Sequence, residues 1–380
     1  MSASPPNKPT STNRSVWRLA WPNILSNLLF TTVGLLHIKI VAQLGTSSVA
    51  AVTTGHRVFF LIQAILMGVS VASTAMVARS WGAQQAKQAE IVTWTSIVIS
   101  VALAAVLSIP ILLAPEAIAG IFGLDEETTA LAASFIFWLG LFNVFSAISM
   151  MLSTALRATG NVITPLWFLL FSSIFNVTFA YLLAFGIGPL PKLGVTGVSL
   201  GGSFGAAIIT MAFFFAWWRG HFNLKPTKRK SIDWATSKQM IKIGLPPVVE
   251  QGIVQLAFLA FFAIVAHYGT AAYASYGIGI TLVAFPIVIG FGFGIATATL
   301  VGQQMGAGEP DLAILAVARS LRMALASMIL LSILLATFAE ELASFMIDDP
   351  EVIELTVVFM YLIALAQPLM ACEFTLGGAL

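Results

Sequence analysis

Residues 22–46 read PNILSNLLFTTVGLLHIKIVAQLGT, and residues 246–270 read PPVVEQGIVQLAFLAFFAIVAHYGT. Pro22 falls on Pro246, Val41-Ala42 on Val265-Ala266 and Gly45-Thr46 on Gly269-Thr270, all at one offset of 224 residues. The register runs without a gap over residues 22–156 and 246–380. Along it Gly55 pairs with Gly279, Gly68 with Gly292, Ala72 with Ala296, Gly82-Ala83 with Gly306-Ala307, Asp125 with Asp349, and Ala155-Leu156 with Ala379-Leu380. A match of this length between two apolar segments marks a chain built from two copies of one membrane unit, the pattern of transporters made from repeats. The first copy continues past Leu156 into Arg157 and two further hydrophobic stretches. The second ends at Leu380, so the expectation is that counterparts of those two stretches are missing.

Composition gives the same class by a separate route. With 58% hydrophobic and 9% charged residues in 380, the chain has too little polar surface to cover a water-soluble fold. Apolar stretches of membrane-spanning length recur throughout, so an all-α polytopic membrane protein is expected. The one cysteine, Cys372, excludes an internal disulfide, and the four histidines have no metal-ligand spacing, so no metal or cofactor is expected. The first dozen residues are polar and rich in Pro and Ser, and residues 1–16 are expected to form a disordered cytoplasmic tail. The run after Arg18 is too long for a signal peptide and reads as the first span. No nucleophile–base or metal constellation appears, which argues against an enzyme. No G-x-x-x-x-G-K-[ST] phosphate loop occurs either, leaving an ion gradient as the ordinary energy source.

Hydropathy and turn signals predict ten spans, over 17–41, 48–78, 89–113, 129–156, 163–187, 194–218, 240–266, 272–302, 312–338 and 353–380. The offset pairs spans one to four with seven to ten, so spans five and six lack partners. Six helices per repeat is an even number, and both copies therefore insert the same way round. Lys8, Arg14, Arg18, Arg79, Lys87, Arg157, Arg319, Arg322 and the cluster Arg219, Lys225, Lys228, Arg229, Lys230, Lys238 and Lys242 fall on one side. Glu116, Asp125, Glu126, Glu127, Glu340, Glu341, Asp348, Asp349, Glu351 and Glu354 fall on the other, with Lys192 as a lone base. The positive-inside rule then puts the N-terminus in the cytoplasm. The lobe boundaries drawn from this pattern are 17–218 for the first, 219–239 for a basic cytoplasmic linker and 240–380 for the second. The linker's charges read as a topology anchor beside anionic lipid, not as a nucleic-acid site.

Several stretches resemble the multidrug and toxic compound extrusion (MATE) family. They are Trp21 to Asn27 and Gly244 to Gln251 at the two lobe starts, Val77 to Gln84 and Val301 to Gly308 at the ends of spans two and eight, Leu156 to Gly160 followed by Pro165, and Pro189 to Gly197. The resemblance implies two pseudo-symmetric six-helix lobes around a central V-shaped cavity. It also implies export of organic cations against an inward flow of Na⁺ or H⁺. Roughly sixty residues with two spans are then expected beyond Leu380, in accord with the repeat.

Coupling to an ion gradient needs an ionisable group inside the bilayer, and such groups are functional hypotheses by default. Glu250 lies eight residues past Lys242 and Glu373 seven before Leu380, each about 12 Å deep at 1.5 Å per residue. The resemblance implies acids on spans seven and ten that bind the coupling ion; Glu250 fits its Pro-x-x-x-Glu pattern, while Glu373 does not match a motif cleanly. The plainer alternative is a protonated interior carboxyl or an interfacial residue. Gln251, Gln255 and Gln367 could add oxygens, or simply tie helices together. The first lobe departs from the family: the aspartates that one branch carries in spans one and five are replaced by His37 and Ala180, so that site is not carried over. His37 is a candidate proton carrier because an imidazole ordinarily titrates near neutrality, but beside Lys39 it reads as an outer-interface residue, and His37→Ala is expected to leave the pH dependence of transport nearly unchanged. Asn27 and Asn176 are candidates to line the substrate cavity. So is Arg57, which sits nine residues past Ser48 and which otherwise snorkels to the interface.

The sequence thus points to a plasma-membrane secondary exporter of hydrophobic, cationic small molecules, monomeric, bathed in lipid and without nucleic-acid partners. A rival within transport is a flippase of a lipid-linked or anionic molecule. A rival outside it is a transport-inactive membrane fragment.

Overall fold

A computed structural model of the chain describes residues 12–227 and 233–379, and its regular elements there are helices: α1 (Thr12–Ala42), α2 (Thr46–Gly82), α3 (Ala86–Leu113), α4 (Pro115–Gly120), α5 (Glu126–Ala158), α6 (Ile163–Phe185), α7 (Gly194–Trp218), α8 (Trp234–Ala266), α9 (Thr270–Gly306), α10 (Pro310–Thr337), α11 (Ala339–Met346) and α12 (Pro350–Gly377). A helix pairs nearly all of its own backbone donors and acceptors, which is what hydrocarbon demands of a spanning segment. Among the described residues nine helices are long and apolar enough to cross a membrane. The expected seventh span coincides with α8, which is 33 residues long.

Helix ends differ from the expected spans for local reasons. α1 begins at Thr12, not at 17, because hydropathy marks where a helix enters lipid and not where its hydrogen bonding starts. Residues 1–11 of the expected tail, with Lys8, lie outside the described residues, as do Lys228, Arg229, Lys230 and Leu380. α8 begins at Trp234, six residues ahead of the expected 240, because Asp233 caps it: the Thr236 N–H donates to Asp233 Oδ2 at 3.2 Å and the Thr236 hydroxyl donates to the same oxygen.

The two copies keep the same caps. Asp125 accepts from the Thr128 N–H at 2.9 Å and from its hydroxyl at 2.7 Å, opening α5. Asp349, its counterpart, accepts from the Glu351 N–H at 3.0 Å and opens α12. The matched aspartates therefore have a structural role in addition to their side of the membrane. Short helices α4 and α11 begin at equivalent positions, Pro115 and Ala339, and were not anticipated. Gly45 and Gly269, ahead of α2 and α9, have φ of 113° and 99°, a region that other residues rarely adopt.

The chain divides into two compact units. One is Leu25–Val249; the other joins the described part of Met1–Ile24 to Glu250–Leu380. Each division falls inside a long helix, α1 or α8, at nearly equivalent positions. Inside the first unit a Cβ on Gly68 would overlap Val248 and the Gly244 carbonyl; inside the second a Cβ on Gly292 would overlap Ile24. These contacts are related by the repeat, since Ile24 and Val248 share a register, as do Gly68 and Gly292. The same holds for Gly55 against the Phe135 ring and Gly279 against the Phe359 ring.

In the first unit α6 and α7 pack backbone to backbone. Gly197, Gly201 and Gly205, spaced by four, face the carbonyls of Leu183, Phe179 and Phe175, also spaced by four. Small residues in a membrane helix let backbones meet where no solvent drives association. Gly201→Ala is expected to force α6 and α7 apart, since its Cβ would overlap the Phe179 carbonyl, and to cost about 1–3 kcal/mol. Gly34→Ala, with nothing within 4 Å, is expected to leave thermal stability in detergent unchanged or slightly raised. Thermal melts of both variants check this.

The Asp125 cap makes a pH prediction. Its hydrogen bonds to Thr128 hold the carboxyl below the ordinary carboxylate range. A depressed pKa gives stability that is present above the unfolded value, about 3.9, and lost as pH falls through the folded one. Asp125→Ala is therefore expected to lower the melting temperature at pH 7, and the gap from the unaltered chain is expected to close as the pH falls below about 4.

Candidate functional site

The first unit holds a partly buried polar cluster drawn from four of its helices. α1 supplies His37, α2 His56, α6 Asn176 and α7 the Gly202 carbonyl. His37 is 6% exposed. The Asn176 Nδ2 donates to the Gly202 carbonyl at 2.9 Å, which turns its Oδ1 to His37 Nε2 at 2.7 Å. The oxygen can only accept, so Nε2 carries the proton and His37 Nδ1 is left as a bare acceptor. No hydrogen-bond partner reaches that Nδ1. The His56 ring lies parallel to His37, 7° between planes and 5.8 Å between centroids, with Phe135 edge-on to it at 5.3 Å. The approach of α7 makes this possible, because a Cβ on Gly202 would lie 3.2 Å from Asn176 Oδ1 and 3.3 Å from His37 Cε1.

This corrects the sequence reading of His37 as an outer-interface residue. Lys39, which suggested it, is exposed, while His37 is buried. Two residues apart on a helix are about 200° apart around its axis, so the charge of one says little about the face of the other. Asn176 is an interhelical tie. Arg57 is exposed on α2, turned about 100° from its neighbour His56. Asn27 is half-buried, and its Nδ2 lacks a partner.

The second unit holds the two carboxylates. Glu250 sits in the middle of α8 and Glu373 four residues before the end of α12, and both side chains are exposed. They form no hydrogen bond or ion pair with each other or with another described residue. Gln251 and Gln255 are half-buried on α8. Gln367 is 0% exposed, and neither its Oε1 nor its Nε2 finds a partner. Its counterpart in the first copy, Asn143, is also buried but donates to the Ala104 carbonyl at 3.4 Å and Ser108 Oγ at 3.3 Å.

Sequence reasoning did not select His56, Gly202 or Asn143. A signal for the first was present in the repeat: His37 and His56 fall on Phe261 and Ile280 of the second copy. Two imidazoles thus stand where the same architecture uses apolar side chains. Among the described residues no group of three or more His, Cys, Asp or Glu is placed to hold a metal ion.

Known proteins share this architecture. A family model, MatE, matches residues 22–182 and 246–380. A probable multidrug resistance protein NorM of Thermotoga maritima is 25% identical over 370 residues, 96% of this chain and 78% of that protein. An FAD transporter of Shewanella oneidensis is 26% identical over 345 residues, 90% of this chain and 76% of that protein. Among solved structures, a MOP superfamily transporter from Pyrococcus furiosus, described as having a binding pocket of reversed polarity, superposes with a TM-score of 0.88 at 18% identity, covering 98% of this chain and 86% of that one. With both copies of its repeat matched by the family model, the chain belongs to the MatE family of multi-pass membrane transporters.

Proposed function

We propose that this chain is a secondary active exporter of hydrophobic cationic compounds, working by antiport against inward Na⁺ or H⁺. The observation that carries the reading is the MatE match over both copies of the repeat, with relatives such as the Thermotoga maritima protein named for multidrug resistance. Ionisable side chains within the long apolar helices support ion coupling, because such groups are costly in lipid unless they work. The candidate ion groups are Glu250, Glu373, Gln251, Gln367 and His37; the candidate substrate contacts are Asn27, Asn176, Arg57 and Gln255. Two carboxylates within the long helices of the second unit favour a positively charged substrate. The distribution of Lys and Arg supports an N-terminus on the cytoplasmic side of the plasma membrane. The protein works as a monomer and needs no cofactor.

A second reading is transport of an anionic molecule. It is favoured by Arg57 in the first unit, where α1, α2, α6 and α7 contain no acid. The relative named as an FAD transporter gives it a further support.

Proteoliposomes separate the two readings. A fluorescent organic cation is expected to move when an opposing H⁺ or Na⁺ gradient is imposed, and a flavin nucleotide is expected not to. The reverse selectivity would establish the anion reading in its place. Glu250→Gln is expected to insert normally yet lose at least roughly tenfold in gradient-driven cation flux, since a neutral amide can neither change its charge nor balance the cation's. Unchanged flux in that variant removes Glu250 from the mechanism.

A further inference from the structure

We propose that a groove between α5 and α7, with Arg219 at its mouth, binds one anionic phospholipid: an acyl chain lies in the groove and the phosphate sits on the Arg219 guanidinium. The site shares no residue with the candidate ion and substrate groups, and it stands whichever molecule the protein carries.

The groove belongs wholly to the first unit. Phe145 and Ile148 of α5 and Met211, Ala212, Phe214 and Phe215 of α7 line it. Its volume of about 530 Å³ falls within the roughly 300–1,000 Å³ usual for small-molecule sites. Met211 is 51% and Phe215 56% exposed, so the groove is open. An open apolar hollow on a membrane-spanning helix is filled by hydrocarbon, since lipid tails are as apolar as its walls.

The mouth of the groove supplies the charge. Arg219 directly follows α7, and its guanidinium carbon lies 4.6 Å from the centre of the Phe215 ring, the same ring that walls the groove. That contact holds the planar fork in place, and a guanidinium fork matches a phosphate. Met211, Ala212 and Phe215 stand within about 80° of Arg219 around the helix, and Met211 is about 12 Å away along the axis. Trp218, 43% exposed, stacks on Phe214 with 28° between planes and 5.8 Å between centroids. An exposed indole beside an arginine is the composition of the membrane–water boundary, where a headgroup lies.

The acids of the neighbourhood are placed elsewhere. α7 has none, and those of α5 are in its first turn, at the opposite end. Glu90 of α3 lies beside Lys225 and Lys87, and Asp233 caps α8. A lipid phosphate supplies the anion that Arg219 lacks. The end of α7 is also the negative end of its dipole. There the N–H groups of Arg219, Gly220 and His221 donate to the carbonyls of Phe215, Trp217 and Ala216 at 2.9, 2.8 and 3.2 Å, which lowers the repulsion a phosphate meets.

The general excess of Lys and Arg at this end attracts anionic lipid diffusely. It does not account for an arginine stacked on the wall of an apolar groove. The same cation disfavours a hydrophobic cation as the occupant.

The test is native mass spectrometry and thermal melting of the full chain in detergent, with phosphatidylglycerol or phosphatidylcholine of identical acyl chains added. Expected is one phosphatidylglycerol held at least about tenfold more tightly than phosphatidylcholine, with a rise in melting temperature of about 4 °C or more. Arg219→Gln is expected to reduce phosphatidylglycerol to the level of phosphatidylcholine. Ala212→Phe, which fills the groove from an exposed position, is expected to weaken both lipids. Lys242→Gln removes an exposed charge outside the groove and is expected to change neither. Equal binding of the two lipids overturns the site, as does an equal loss in Lys242→Gln and Arg219→Gln. Unchanged binding in Ala212→Phe overturns the acyl-chain seat. If inorganic phosphate alone raises the melting temperature as much, the site is not a lipid site.

Discussion

Backbone meets backbone along α6 and α7, and the polar interior of the first unit depends on that contact. Three glycines at intervals of four let the helices touch through carbonyls, with no side chain between them. In lipid there is little hydrophobic gain from pressing two apolar helices together, so close packing and interhelical hydrogen bonds must hold them. The approach brings the Gly202 carbonyl within reach of Asn176, and Asn176 in turn fixes His37. A larger side chain at 202 would press on both. The glycine seam and the imidazole cluster are therefore one construction.

The repeat shows which parts of the fold are general and which are particular. Aspartate caps on α5 and α12, the Gly–Phe contacts between α2 and α5 and between α9 and α12, and the reciprocal contacts of Gly68 with Val248 and Gly292 with Ile24 recur at one offset. Recurrence at both places argues that these contacts serve folding. Divergence is then informative. The first copy has His37 and His56 where the second has Phe261 and Ile280, and the second has Glu250 and Glu373 where the first has the uncharged Ser26 and Ser149. The two units have kept a frame and divided their charged chemistry between them.

Two buried amides at equivalent positions make the same point on a smaller scale. Asn143 reaches a carbonyl and a hydroxyl on α3, while Gln367, one methylene longer, finds neither kind of partner on α10. Ser332, the counterpart of Ser108, donates instead to the Ala364 carbonyl at 2.6 Å. One extra methylene and one redirected hydroxyl are enough to turn an amide whose nitrogen is hydrogen-bonded into one with no partner at either end.

The sequence by itself determined the class, the order of the long apolar helices and the duplication, because these follow from hydropathy, length and a fixed residue offset, all of which are linear in the chain. It also located Glu250, Glu373 and Asn176 as polar groups within apolar stretches. It misjudged His37, because the neighbouring Lys39 suggested an interface while the face of a helix turns by about 100° at each residue. It passed over His56 and Gly202, whose meaning lies in contacts between helices far apart in the chain. Only the tertiary structure decided which lone pair is left without a donor, since that depends on how closely α7 approaches α6 and on which way the Asn176 amide is turned.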